Sequence, residues 1–321
     1  MVKNSSTISD GYLGLDIKHG SSCDYHRITM PFSHVDIKPK VPVYIFNRIS
    51  TLGLDALYRM KEQGIKIIMD IDDLPFLNPE HYLYESFKRS GMTHHIIANL
   101  KLADVIFTTT PLLASKLRGY NSNIVVIPNA LPFGKGQFKE SSDKDSKSAV
   151  VWVGGASHVN DLKVIKNVDF IKPLTFCGDA MIPGTNMDQW NIIKKNHPSV
   201  IYERGKNEKS YMDLYDGHSV SIAPLEDNLF NSCKSNLKVL ESGCKGLPII
   251  CSKVEPYYNS IDKDFIIYAE NRNEWHTQVN NMIKYKNYRE DVGQALAEHV
   301  RLEYNLESAN ILRKQVIESF N

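Results

Sequence analysis

The sequence predicts an α/β protein made of two parallel-sheet domains, and three features lead to that class. Strand-like apolar runs alternate with helix-like segments along most of the 321 residues. A polar, charged stretch at 131–148 divides this alternation into two series. The length suffices for two domains of ordinary size. A βαβα order implies a parallel sheet with both faces covered.

The first series opens with a weak strand at 12–17 and a stronger one at 41–46. A helix at 52–63 stops at Gly64 and feeds a strand at 65–69. A long helical stretch, 79–102, is interrupted near Gly91. Strands at 105–109 and 124–127 flank a helix at 112–117. The segment 131–148, LPFGKGQFKESSDKDSKS, has the composition of an interdomain linker. Strands at 149–153, 174–177, 200–202, 220–223, 249–251 and 265–268 form the second series, and the last fifty residues or so read as helical. The domain limits are therefore 1–130, a linker at 131–148, 149–300, and a terminal helix at 301–321.

Hydrophobic content of 42% and charged content of 23% are those of a globular protein, and a net charge of +1 gives no global argument for nucleic acid or membrane. No stretch approaches the roughly 20 apolar residues of a membrane span. The N-terminus lacks the apolar run of a signal peptide, so a cytoplasmic location is expected. The five cysteines are scattered without metal-ligand spacing and read as free thiols, with no bound metal.

The densest information lies at 219–252. It reads as a strand, a polar loop, a helix at 234–244, a turn at Gly246 and Pro248, and another strand. Lys234, Lys238 and Glu241 would share one helix face, with Ser235 beside the first lysine. Two cations and a carboxylate at the mouth of a parallel sheet suit a nucleoside diphosphate and its ribose. At the start of the second series a strand ends in Gly154-Gly155 and a helix starts near His158. Glycines there let backbone approach a phosphate. Asp161 reads as a helix N-terminal charge.

In the first series Asp70-Ile-Asp-Asp73 ends an apolar strand, where side chains point toward bound ligand. Adjacent acids raise one another's pKa, and Asp72 or Asp73 is the candidate general base. Tyr25-His26-Arg27 reads as a loop after the first strand, with Arg27 able to pair a phosphate bidentately. His26, Arg27 and Asp70 make up the candidate acceptor side.

These motifs resemble the GT-B glycosyltransferases, which use nucleotide sugars and have two Rossmann-like domains facing a cleft. Glu241-Ser-Gly-Cys-Lys-Gly-Leu-Pro248 is similar to the "E-x-x-A-x-G-x-P" helix end of the large retaining branch related to glycogen synthase. In that branch the glutamate holds the donor ribose. An earlier glutamate eight positions before is replaced here by Cys233. Gly154 to Leu162 resembles the "G-x-x-x-H-x-x-D-L" opening of a bacterial subset, and Ile127-Pro-Asn129 resembles the signature that closes the first domain.

The resemblance implies transfer of a sugar from a nucleoside diphosphate sugar, UDP favoured, to an acceptor hydroxyl. No cofactor or essential metal is expected. Donor contacts fall to Gly154, Gly155, Lys234, Ser235, Lys238 and Glu241. His158, Asp72 and Asp73 are the catalytic candidates. Retention is favoured, with inversion open through Asp72 or Asp73. The acceptor is a glycan or lipid-linked glycan. Duplex DNA with a hydroxymethylated base is an alternative, with Lys38, Lys40, Arg48, Lys88, Arg89 and Lys116 as its basic surface. A sugar-nucleotide epimerase and a non-catalytic sugar-nucleotide-binding protein are further alternatives.

Overall fold

The computed structural model describes residues 5–9, 12–147, 149–155, 158, 160–178 and 189–321. The chain divides into two compact units. Unit 1 holds Met1–Ala130, Cys233–Ser235 and Tyr304–Asn321, and unit 2 holds Leu131–Ser232 and Asn236–Glu303.

Unit 1 is built on a six-stranded sheet in sequential order: β1 Ser5–Ser9, β2 Leu13–Ile17, β3 Val43–Asn47, β4 Lys66–Ile71, β5 Val105–Thr108 and β6 Ile124–Val126. β2 to β6 are parallel, and β1, which the sequence did not announce, adds antiparallel to β2. β3 and β4 are buried almost throughout, so they read as continuous apolar runs instead of alternating ones. One sheet face carries Leu13, Val43, Ile45, Ile68, Val105 and Phe107. The C-terminal helix Leu306–Glu318 covers it with Leu312, Val316 and the fully buried Ile317. Helices Leu54–Glu62 and Met92–Leu102 also pack on β4. The long helical stretch of the sequence is broken at Gly91, whose φ of +63° favours glycine.

One element differs from its reading. Residues 22–32 form continuous helical turns, with a π-helical turn at Tyr25–Thr29, so Tyr25, His26 and Arg27 are not in an open loop. The inward side of these turns carries Asp24, His26 and Arg27 as well as Ile28, which hides the usual apolar period.

Unit 2 has six parallel strands: β7 Val150–Val153, β8 Leu174–Gly178, β9 Ile201–Arg204, β10 Val220–Ala223, β11 Ile249–Ser252 and β12 Ile267–Ala269. Their order in the sheet is β12-β11-β10-β7-β8-β9. The chain starts at the centre, runs outward through β8 and β9, then returns to β10 and runs the other way. The order therefore reverses beside β7, and ligands of open α/β sheets bind at the carboxyl ends of strands at such a point. Residues 131–147, where the sequence reads a linker, pack onto this unit. Leu131 and Phe138 are buried, and Gln137 donates to the Glu208 carbonyl while accepting from the Met212 amide.

Glycines set two close approaches in unit 2. Helix Leu237–Cys244 lies against helix Lys286–Glu303, and a Cβ on Gly243 would come within 2.7 Å of Val300. At the far end of β8, a Cβ on Gly178 would sit 2.0 Å from the Gly154 carbonyl oxygen, whereas one on Gly155 would meet nothing within 4 Å. No helix among the described residues is long and apolar enough to cross a membrane.

Because the obstacle at Gly178 is backbone, Gly178→Ala should destabilise unit 2 by about 1–3 kcal/mol, and Gly155→Ala by less than about 1 kcal/mol. Urea unfolding of both variants measures the difference. Equal losses would contradict the packing described here.

Candidate functional site

In unit 2, β7 delivers Gly154 and Gly155 to the reversal point of the sheet. The following turn, Asp161–Ile165, is a five-residue 3-10 helix. Asp161 is more than a helix-end charge. Its buried carboxylate accepts from the Glu226 amide at 3.1 Å and from Asn231 Nδ2 at 2.8 Å, and so holds the loop after β10. It also lies 2.8 Å from His158 Nδ1. A carboxylate can only accept, so the imidazole donates from Nδ1 and its orientation is set.

Glu241 projects from helix Leu237–Cys244 and is 2% exposed. Oε2 accepts from the Tyr215 hydroxyl at 2.7 Å and from Lys238 Nζ at 3.1 Å. Tyr215 is itself buried, at the end of the 3-10 turn Tyr211–Tyr215. Burial and the adjacent Glu241 charge push the Tyr215 phenol well above its ordinary value, so it stays a donor. The second oxygen, Oε1, accepts no hydrogen bond from the described residues.

Lys234 and Ser235 do not share this helix face. Asn236 precedes the first helical residue, and positions 233–235 belong to unit 1. There Lys234 Nζ approaches Asp73 Oδ1 at 3.5 Å, and the Ser235 hydroxyl accepts from Asn129 Nδ2 at 2.8 Å. Polar side chains of unit 1 compete successfully for the turn that would otherwise extend the helix. Cys233 is buried with them, its thiol pushed up to about 11 by burial.

In unit 1 the acids at the end of β4 are already neutralised. Arg27 is fully buried and fastens to Asp70, with Nε at 2.9 Å from Oδ1 and Nη2 at 3.0 Å from Oδ2. Its Nη1 donates to the Ile127 carbonyl at 2.9 Å and to Asn129 Oδ1 at 3.0 Å. Arg27 is thus a structural cation and not a phosphate ligand, and Asp70 is its counter-ion. His26 is likewise buried, edge-on to Tyr25. These three residues do not form an open acceptor surface.

Asp72 and Asp73 are bridged by Arg48. Its Nη2 lies 2.9 Å from Asp72 Oδ1 and 2.6 Å from Asp73 Oδ2, and also 3.2 Å from Cys23 Sγ. Burial acts to raise the Asp72 pKa, but Arg48, the hydrogen bond with Cys23 and Arg27 together hold it well below the carboxylate range. The expectation that neighbouring acids raise one another fits Asp70, which burial and then the Asp72 charge push up against the pull of Arg27; at Asp72 the adjoining guanidinium reverses the sign, and a strongly acidic carboxyl is a weak base. Cys23, Asp72 and Asp73 also converge closely enough to suggest a metal site, but Arg48 already supplies the cation.

Tyr215, the clamp role of Asp161 and the bridging role of Arg48 escape sequence reasoning, which placed Arg48 on a basic surface although its charge is taken by Asp72 and Asp73. Tyr215 has no motif around it. Arg48 had a signal, since it follows β3 at its carboxyl end, the same argument that singled out the Asp70 segment. It adopts a left-handed φ of +55°, unusual for a residue with a side chain, which aims the guanidinium at the acids.

The pair has a pH signature. Asp72 has a lower pKa folded than unfolded, so its contribution is complete above about pH 5 and is lost as pH falls from there toward the depressed folded value. Arg48→Met should cost about 1–3 kcal/mol at pH 7 and flatten the acid limb of the stability profile. Urea midpoints between about pH 2 and 7 test this; parallel profiles for both proteins would refute it.

The sequence matches no protein-family model, and a search of curated protein sequences returns no match. Solved structures do match. A sucrose-phosphate synthase from Thermosynechococcus elongatus superposes with a TM-score of 0.63 at 13% identity, covering 86% of this chain and 73% of that one. S. aureus TarM, in a complex with fondaparinux, alpha-GlcNAc-glycerol and UDP, gives 0.59 at 12% identity, covering 93% of this chain and 58% of its own. Anabaena HepE with UDP and glucose gives 0.60 at 10% identity, covering 87% and 78% respectively. The chain spans little more than half of TarM. With two parallel-sheet α/β units that match these structures, the chain has the GT-B fold.

Proposed function

We propose that this protein is a glycosyltransferase that moves a sugar from a UDP-sugar to an acceptor hydroxyl. The observation that carries the reading is Glu241: a buried carboxylate with one oxygen held by Tyr215 and Lys238 and the other turned to no described residue. Such a group suits the paired hydroxyls of a ribose. Lys238, together with Gly154, Gly155 and the Asp161-oriented His158, supplies donors for the diphosphate as leaving-group charge develops. Supporting the choice of donor, HepE and TarM were solved with UDP.

Retention of configuration is the favoured outcome. An inverting transfer needs a carboxylate basic enough to deprotonate the acceptor, and Asp72 and Asp73 are held by Arg48, with Lys234 also near Asp73. The acceptor is proposed to be a glycan or lipid-linked glycan, and the location cytoplasmic, in keeping with five free cysteines.

UDP should raise the melting temperature of the wild-type protein, by an amount that grows with the logarithm of its concentration. Glu241→Gln keeps the shape and removes the charge, and should weaken UDP binding about tenfold, or roughly 1.4 kcal/mol. With a UDP-sugar, slow release of UDP in the absence of acceptor should expose the anomer of the freed sugar by proton NMR, with retention expected. A folded protein indifferent to UDP and every UDP-sugar would overturn the reading.

A further inference from the structure

Away from Glu241, three side chains from separate parts of unit 2 converge. Cys177 lies on β8 and Glu203 on β9, and the two are direct partners in the parallel register. His218 lies on the segment leading into β10, just after Gly217, whose φ is +87°. The candidate ligand atoms of Cys177, Glu203 and His218 are all within 4.8 Å of one another. Cys177 and His218 are completely buried, and Glu203 reaches toward solvent.

We propose that Cys177, Glu203 and His218 form a binding site for a thiophilic divalent ion, zinc being the natural occupant. Tetrahedral zinc takes sulfur at about 2.3 Å and nitrogen or oxygen at about 2.0–2.1 Å, so its ligands stand about 3.3–3.8 Å apart. Side-chain adjustments of about 1 Å or less bring the trio to that spacing. One sulfur, one imidazole nitrogen and one carboxylate form a set that magnesium and calcium, which prefer oxygen, do not select. An open pocket of about 540 Å³ lined by Lys147, Thr175, Tyr202 and Glu203 borders the site and offers a route for the ion.

Lys147 Nζ is 3.1 Å from Glu203 and 40% exposed, so it is the counter-ion that zinc displaces into water. The bond formed is thiolate sulfur to zinc, and the Cys177 proton leaves to solvent. Three protein ligands leave a fourth position for water. The ion would tie β8, β9 and the approach to β10 together. Cys177 Sγ also touches the Leu214 carbonyl at 3.8 Å, next to the Tyr215 that holds Glu241. The role is a staple behind the Glu241 helix and does not depend on what that helix binds.

The sequence hides this site because its ligands are 26 and 15 residues apart, from 177 to 203 and from 203 to 218, with no short motif.

The test is metal content and spectroscopy on the full chain. Protein incubated with zinc and then desalted should retain one ion per chain by mass spectrometry. Cys177→Ser and His218→Gln should lose it, and Cys23→Ser, altered in the other cysteine–carboxylate cluster, should keep it. Should the two ligand variants fold poorly, cobalt(II) added to wild-type protein decides instead. A thiolate-to-cobalt charge-transfer band with intense tetrahedral visible bands is expected, and it should survive in Cys23→Ser. Substoichiometric zinc, cobalt without a thiolate band, or loss of the band in Cys23→Ser would overturn the proposal.

Discussion

Burying the charge of Glu241 is the constraint around which unit 2 is arranged. A carboxylate at 2% exposure is tolerated only when hydrogen bonds and a cation meet it. Tyr215 and Lys238 do so from different elements, a 3-10 turn and the helix itself. The helix must then stand at one distance from its support. Gly243 permits that distance, because its missing Cβ is where Val300 packs. Thus two residues in one helix have different tasks, Glu241 presenting charge and Gly243, two positions on, setting the depth at which it sits.

Unit 1 solves a similar problem at the end of β4 by pairing Asp70, Asp72 and Asp73 with its own cations. Asp70 is spent on Arg27, and Arg27 also gathers the Ile127 carbonyl and Asn129. Asn129 in turn donates to the Ser235 hydroxyl, and Lys234 approaches Asp73. A segment that looks like the start of a helix is drawn by these bonds into a different unit. The consequence for chemistry is that charge at the end of β4 is balanced, with Arg48 bridging Asp72 and Asp73 and holding Asp72 in its ionised, weakly basic form.

The strands are largely legible because burial on both faces makes them mostly apolar, as in β3, β4, β8 and β11. The helical turns at 22–32 are not, since buried charged groups, Arg27 paired with Asp70 and Asp24 paired with Lys18, stand where an apolar period is expected. Within the site, Glu241 and Gly154 could be read from motifs because local geometry demands them. Tyr215, Asp161 and Arg48 could not be assigned, since their roles depend on partners 26, 70 and 24 positions away. The misreading of Lys234 has the same origin: periodicity places it on the helix, while Asp73, far back in the chain, takes it off.

The most direct measurement is calorimetric titration of UDP against 2′,3′-dideoxy-UDP, in wild type and in Glu241→Gln. If Glu241 accepts the ribose hydroxyls, the dideoxy ligand should bind wild type about 10-fold or more weaker than UDP, and the variant should distinguish the two poorly. Equal affinities in wild type, or discrimination that persists undiminished in the variant, would contradict the assignment.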